Sequence, residues 1–532
     1  MKKPLEILRL YEEHDYTLNG ALQSRLAGHP DRPFLLCQDR TWSWLEFSAA
    51  VEATARSLVV RGITRGDRVS VMGRNSDGHV LMLFALARLG AIMVPVNPEF
   101  RVEEARYVFR HAEVTCVVAS TDTLEIARRA CEGIETAPML IMLDAGSPAG
   151  PCLHDLTRHA PETAVPEDVT ADDTCLIVYT SGTTGFPKGV MHSQRNFVTC
   201  GEAAVQRVYL QAEDRVMIVL PLFHVNALFY SVAGTLAAGC SMVIVPAFSA
   251  SGFWGVAVNT GATVVNIIEA IGTILVSRPR SEFKPEHTIR TVYGVREKFV
   301  ETFRKEFGIR HLISGYGMTE IPGVTCSPFD GPQKPGSMGP VGRHPDPQRP
   351  WAECRVIDDA GDEVGTGQTG ELIVRTPIIM QGYFRDREQT EAAFRDGWFL
   401  TGDLVRRDED GYFFFVGRKK DVIRRRGENV SGAELDRVVG SHPSVHEAAA
   451  IAVPSEVGED EILVAVVLKP GQSVSAASIA QWCRDRLAAF KVPRFVAIVD
   501  QLPHTPTHKI AKALLRADRS LRERAVDLSS PK

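Results

Sequence analysis

Apolar residues recur at helical spacing over residues 42–62 and again over 79–91, and a short apolar run follows each, at 68–73 and 92–97. A Gly-Asp pair precedes the first run, and Gly90 closes the second helical pattern. Further short apolar or β-branched runs lie at 175–180, 215–221, 241–246 and 263–268, with helix-periodic stretches between them. Short buried strands alternating with amphipathic helices predict doubly wound α/β layers. Near residue 350 the texture changes. Strand runs are broken by Asp-Ala-Gly-Asp and by Gly-rich turns, the pattern of antiparallel hairpins. After a basic segment beginning at Arg418, two strand patterns, a helix over 475–490, a strand at 495–500 and a polar loop at 504–509 predict a compact α+β unit. The expected fold class is therefore α/β: a large N-terminal domain (1–417) of doubly wound α/β subdomains plus a β-barrel-like subdomain, and a small α+β C-terminal domain (418–532).

Between Arg215 and Glu269 there is no Asp, Glu, Lys or Arg. Length alone admits a membrane span. Pro221, His224, Asn226, Gly234, Gly239 and Pro246 nevertheless cut this stretch into strand-sized and helix-sized pieces, so a buried core is expected instead. No internal repeat or low-complexity tract is visible.

The chain has 532 residues, 44% hydrophobic and 23% charged, which excludes disorder, collagen and coiled coil as descriptions of the whole. Its net charge of −5 announces neither a nucleic-acid nor a membrane binder. The charge is unevenly placed: residues 418–532 hold 19 basic and 14 acidic residues, whereas residues 1–417 hold 41 and 51. A basic unit following an acidic body suggests a second domain with a separate task. The ten cysteines stand singly with no Cys-x-x-Cys pair, as expected for free thiols in a reducing cytoplasm. The first residues lack an apolar signal-peptide core and the last lack a peroxisomal or prenylation signal, so a cytoplasmic location is expected.

The densest chemistry lies at residues 179–190, directly after an apolar strand pattern. Gly182, Gly185 and Gly189 let the backbone bend and approach an anion. Thr180, Ser181, Thr183 and Thr184 supply hydroxyl donors, and Lys188 a point charge. The spacing is not that of a Walker loop, and by itself such a string is equally compatible with a Ser/Thr/Gly-rich surface turn. Further on, Gly315-Tyr316-Gly317-Met318-Thr319-Glu320 places an aromatic ring, a hydroxyl and a carboxylate within five residues. Trp398 to Asp403, Gly417 to Asp421, the basic run Arg424 to Arg426 before Gly427, and Pro506-Thr507-His508-Lys509-Ile510 complete the set.

These motifs, in this order from about Trp42 to Lys512, closely resemble those of the adenylate-forming enzymes: acyl-CoA synthetases, nonribosomal-peptide adenylation domains and luciferase-like proteins. The resemblance implies ATP, Mg²⁺ and CoA as cofactors and co-substrates, a carboxylic acid as the small-molecule substrate, and no nucleic-acid partner. It implies that Thr180, Ser181, Gly182, Thr183, Thr184, Gly185 and Lys188 cradle the nucleotide phosphates. Tyr316 would lie against adenine, Thr319 near the α-phosphate and Glu320 on Mg²⁺. Asp403 would bind the ribose hydroxyls, and Arg418 the ribose and phosphate side. Lys420 matches the hinge position, Arg424 belongs to a strip facing CoA, and Gly427 lies beside the pantetheine channel. Lys509 matches the lysine that contacts the carboxylate and the developing phosphate charge.

The same resemblance places His224, Asn226 and Met318 in the acyl pocket, with Met318 where acetate-specific relatives carry Trp. An acid larger than acetate is expected. Tyr293 to Glu297 replaces a Gly-Gly-Ala-Pro-like strand end, and His508 replaces a common Gly. With Gly-Met-Thr-Glu and Arg-Gly-Glu-Asn-Val-Ser, these departures look most like the crotonobetaine/carnitine-CoA ligase branch. Glu269 is then a candidate either for pairing with a quaternary ammonium or for a local helix cap. Three functions stay open: an AMP-forming acyl-CoA ligase, an acid-adenylating enzyme that loads a carrier protein, and a half-reaction or degenerate member.

Overall fold

The computed structural model describes residues 1–144, 152–158, 161–180, 187–425, 428–454, 460–487, 489–505 and 509–528. The chain separates into two compact units, one of Met1–Thr180, Pro187–Glu353 and Arg375–Gly397, the other of Cys354–Val374 and Trp398–Lys532.

The first unit holds two seven-stranded sheets. One runs, in spatial order, His311–Ile313, Thr291–Tyr293, Val264–Asn266, Arg215–Ile218, Ser241–Ile244, Pro33–Cys37 and Arg40–Ser43, parallel except for the last hairpin. The other runs Gly382–Tyr383, Lys188–Ser193, Thr174–Thr180, Ile92–Val96, Arg68–Met72, Val114–Ala119 and Met139–Met142. Its last five strands are parallel, and Lys188–Ser193 runs antiparallel to both of its neighbours. Central strands such as Ile92–Val96 are buried at every position, which explains their unbroken apolar runs.

Local signals set the element ends. Ser43 accepts from the Glu46 N–H while Glu46 reaches back to the Ser43 N–H, so the helix begins at Trp44. Trp42, expected in that helix, belongs to the preceding strand instead. Gly90, with φ of 68°, ends the helix Asp77–Leu89. The charge-free stretch is core: Met217, Leu222, Phe229, Val232 and Met242 are all essentially inaccessible. Among the described residues no helix is long and apolar enough to cross a membrane. All ten cysteines are free thiols, eight of them buried.

The second unit contains an antiparallel sheet through Glu353–Ile357, Thr369–Arg375, Trp398–Arg407 and Phe413–Arg418. It also contains a four-stranded sheet of Val445–Pro454, Asp460–Leu468, Phe495–Ile498 and Val526–Asp527. The helix expected over 475–490 spans Ala476–Arg484, started by Ser475, whose hydroxyl accepts from the Ser478 N–H.

Two core histidines give the first unit a pH dependence. His79 and His192 are buried and neutral, and burial pushes each down to about 4 from an ordinary value of 6.5. The unfolded chain therefore takes up these protons first. Their contribution is full above about pH 6.5 and is lost as pH falls toward about 4, at up to about 1.4 kcal/mol per pH unit for each group. Thermal midpoints should fall across that window, and His79→Asn with His192→Asn should flatten the slope. An unchanged slope in the double variant would contradict this account.

Candidate active site

In the first unit, the strand Thr174–Thr180 pairs antiparallel with Lys188–Ser193, Thr180 opposite Lys188. This hairpin brackets Ser181, Gly182, Thr183, Thr184 and Gly185, which lie outside the described residues. The hairpin stem is anchored from the side. Tyr107 Oη donates to the Pro187 carbonyl at 3.0 Å, and His111 Nδ1 lies 2.7 Å from Tyr179 Oη.

Lys188 Nζ donates to Gln389 Oε1 at 2.6 Å and stands 4.7 Å over the Tyr383 ring. Tyr383 Oη in turn donates to Glu320 Oε1 at 2.8 Å. Burial first, and the Glu320 carboxylate second, push the Tyr383 hydroxyl well above its ordinary range, so it remains a donor through neutral and alkaline pH. One phenol thus ties the lysine and the carboxylate that the sequence pattern singled out separately.

Thr319 and Glu320 form the turn between the antiparallel strands Gly315–Met318 and Ile321–Cys326. The turn is held by its backbone. His192 Nε2 donates to the Thr319 carbonyl at 2.7 Å, and the Met380 N–H donates to the Glu320 carbonyl at 2.9 Å. The Nε2–H tautomer follows, because Nδ1 lies 3.3 Å from Asn196 Nδ2, a donor. Tyr316 Oη reaches Met318 Sδ at 3.7 Å.

Among the described residues no group of three or more His, Cys, Asp or Glu side chains is placed to hold a metal ion. Glu320 offers a single buried carboxylate, which fits Mg²⁺ because that ion is commonly held by one or two carboxylates together with substrate phosphates and waters.

His224 packs its ring 4.4 Å from Phe223, just before a π-helix spanning Asn226–Val232. Such a widened turn is uncommon and frequent at functional sites. Asn226 Oδ1 is buried without a hydrogen-bond partner among the described residues. Glu269 is half exposed and pairs with Lys298 Nζ at 2.6 Å and Arg296 Nε at 3.5 Å, at the first position of the helix Glu269–Ser277. The N-cap position is Ile268 and no side chain caps this helix, so Glu269 pairs with two basic side chains instead of acting as a cap.

In the second unit, Asp403 is fully buried and Arg418 lies directly opposite in register, with Nε 2.8 Å from Asp403 Oδ1. Within the strand Trp398–Arg407, the Thr401 hydroxyl accepts from the Asp403 N–H and donates to the Leu372 carbonyl of the neighbouring strand. Lys419 Nζ bridges Glu371 and Asp359, each at 3.0 Å.

Lys420 lies in the turn Lys419–Asp421, and Arg424 in the strand Val422–Arg425 opposite Asn429. Their side chains and Gly427 fall outside the described residues. Arg425 is structural, buried and 2.7 Å from Glu461. Lys509 stands in an exposed loop closed by two bonds, from the Thr505 N–H to the Lys509 carbonyl at 2.7 Å and from the Lys509 N–H to Thr505 Oγ1 at 3.2 Å. His508 lies outside the described residues.

Four residues of functional interest escaped the sequence reading: Tyr383, Gln389, His192 and Arg207. Each acts on a partner far along the chain, and no local pattern marks them.

Residues 22–384 match the family model of AMP-binding enzymes, and residues 434–509 that of the AMP-binding enzyme C-terminal domain. The chain is 32% identical to a sulfoacetate–CoA ligase from Cupriavidus necator, an alignment covering 94% of this chain and 97% of that protein. It is 29% identical to a crotonobetaine/carnitine–CoA ligase from Escherichia coli, covering 89% and 93%. A crystal structure of ATP-bound MatB from Rhodopseudomonas palustris superposes with a TM-score of 0.83 at 29% identity, covering 94% of this chain and 98% of that one.

Proposed function

The chain belongs to the AMP-binding enzyme family and is an AMP-forming acyl-CoA ligase that uses ATP and CoA; on that premise we propose how its own residues carry the two half-reactions. The acid's carboxylate oxygen attacks the α-phosphorus of ATP, the bond to the β-phosphate breaks, and pyrophosphate leaves. The CoA thiol then gives up its proton, its sulfur attacks the acyl carbonyl, and AMP leaves.

In the first half-reaction Thr180, Ser181, Gly182, Thr183, Thr184, Gly185 and Lys188 hold the phosphates. Tyr316 holds adenine, and the Thr319 hydroxyl meets the α-phosphate. Asp403 holds the ribose and Arg418 its phosphate side. Mg²⁺ bound at Glu320 would offset charge on the phosphoryl oxygens. Lys509 meets the oxygens that gain negative charge as the new bond forms. His224, Asn226 and Met318 line the acyl pocket. The small C-terminal domain, residues 418–532, turns about Lys420 between the half-reactions, bringing Arg424 and Gly427 to CoA. The enzyme works in the cytoplasm.

The observation that best supports these assignments is the Lys188–Tyr383–Glu320 connection, which sets a cation, a hydroxyl donor and a carboxylate around the Thr319–Glu320 turn. A panel of carboxylic acids with ATP, Mg²⁺ and CoA, read as pyrophosphate release and as thioester mass, tests the function. At least one acid larger than acetate should give both products in equal amount. Pyrophosphate without thioester, together with loading of a pantetheinylated carrier protein, would replace CoA by a carrier. Thioester from supplied acyl-AMP alone would reduce the enzyme to its second half-reaction.

A further inference from the structure

Three arginines are buried among the described residues, and two of them are fully provided for. Arg25 donates to the carbonyls of Leu236 and Ala237 and to the Ser24 hydroxyl. Arg425 pairs with Glu461. Arg207, in the last turn of the helix Gln194–Val208, is only 6% exposed and has no carboxylate. Its Nη2 donates to the Gly323 carbonyl at 3.1 Å, and its Nη1 is buried with no hydrogen-bond partner among the described residues. The groups that act most on its charge are Tyr293, Tyr230, Cys200 and Cys326, all neutral at pH 7. Its guanidinium lies 4.4 Å over the Tyr230 ring and 5.6 Å from the Tyr293 ring. A guanidinium cannot shed its proton in a protein, so this buried charge is met by a carbonyl and two ring faces but by no anion among the described residues.

The cluster lies directly behind the strand Gly315–Met318. A Cβ on Gly317 would fall 2.7 Å from Tyr230 Oη, and one on Gly315 would fall 2.6 Å from Tyr293 Oη. The paired strand crowds the same positions, with the Gly323 N 2.3 Å from a Cβ on Gly317 and the Thr325 carbonyl oxygen 2.7 Å from one on Gly315, so both glycines are required by backbone and phenol together. Neither phenol hydrogen-bonds to another group among the described residues, so both hydroxyls retain a donor. Tyr230 belongs to the π-helix that begins at Asn226, just after His224, and Tyr293 ends the strand Thr291–Tyr293. A cavity of about 450 Å³ reaches Arg207 on the side of Gly323, Cys326, Phe329 and Trp351, and neither phenol lines it.

We propose that Arg207, with the phenols of Tyr230 and Tyr293, forms a subsite for a second anionic group, a carboxylate or sulfonate, at the far end of the acid substrate. This rests on the ligase reading and on the acyl pocket assigned with it. An anion there receives the unused Nη1–H and two hydroxyls and cancels the buried charge. A quaternary ammonium tail would meet a like charge instead, and Glu269, the alternative partner for such a tail, is held by Lys298 and Arg296. The substrate class is accordingly short acids with an anion at each end.

The test compares isosteric pairs by kcat/KM for thioester formation: succinate with succinamate, glutarate with glutaramate, and 3-sulfopropionate with 3-(methylsulfonyl)propionate. In at least one pair the charged member should be favoured by about 100-fold or more, since a site built to pair a polar group rejects the analogue lacking it. The preferred pair identifies carboxylate or sulfonate. Arg207→Met should collapse that ratio to within about threefold by loss on the charged member, and Tyr293→Phe should reduce it severalfold. Neutral members used as well as charged ones in every pair, or a ratio unchanged in the variants, overturns the subsite while leaving the ligase intact. The wild-type ratios decide even if Arg207→Met does not fold. Pyrophosphate release from no acid at all overturns the ligase reading itself.

Discussion

Replacing Lys509 by alanine should lower pyrophosphate-forming adenylation by about 100-fold or more while leaving thioester formation from supplied acyl-AMP within a few-fold of the parent enzyme. The two half-reactions differ in where charge develops. Adenylation brings a carboxylate against a polyphosphate and passes through a state with charge spread over several oxygens, where a fixed ammonium helps most. Thioester formation begins from acyl-AMP, in which that charge is already dispersed. The variant isolates the side chain. The loop at Lys509 is closed by the Lys509 carbonyl and N–H, with the bridge His504 to Ile510 beside it, and alanine keeps all of these. Exchange of labelled pyrophosphate into ATP reads the first half-reaction, and CoA added to synthetic acyl-AMP reads the second. Equal loss of both would show that Lys509 supports the loop or the second step and not the adenylation charge.

Much of the fold was written locally. Gly90 spells a helix stop, and the strand runs at 175–180 and 241–246 fall where the sheets have them. Helix ends were read less well. Trp42 has helical spacing with its successors, yet its neighbours pair as a strand with Pro33–Cys37. The π-helix Asn226–Val232 looks like any apolar helical piece, because its widened turn depends on what packs around it.

The candidate site divides along the same line. Lys188, Glu320, Asp403 and Arg418 sit in strings whose residue types are chemically telling. Tyr383 and His192 do not, since their meaning comes from partners 63 and 127 residues away. Arg207 is the clearest instance. One arginine in an ordinary helical stretch reads as surface, and only burial without a carboxylate marks it. The basic run 424–426 errs in the other direction, because Arg425 is spent on Glu461 and leaves less free charge than the sequence count implies.

Glu320→Gln should reduce adenylation by about 100- to 1,000-fold and raise the Mg²⁺ concentration needed for half-maximal rate, with little change in folding. Glutamine preserves the fold contacts, because its amide oxygen still accepts from Tyr383 Oη and the backbone of residue 320 still receives the Met380 N–H. What it removes is the negative charge, and one carboxylate joined to phosphate oxygens is the usual hold on Mg²⁺. Tyr383→Phe makes the complementary change. It keeps the ring under Lys188 Nζ and removes only the hydroxyl that steadies Glu320. The single substitution should cost about tenfold in rate, as expected for losing one neutral donor to a charged group. If the phenol acts by positioning Glu320, the double variant should be little worse than Glu320→Gln alone, a coupling of about 1 kcal/mol for groups in direct contact. Pyrophosphate exchange measured against Mg²⁺ concentration for the four proteins separates the terms. A Glu320→Gln enzyme with an unchanged Mg²⁺ profile would remove the metal from this carboxylate. Strictly multiplicative losses in the double variant would mean that Tyr383 serves Lys188 and the phosphate loop on its own account.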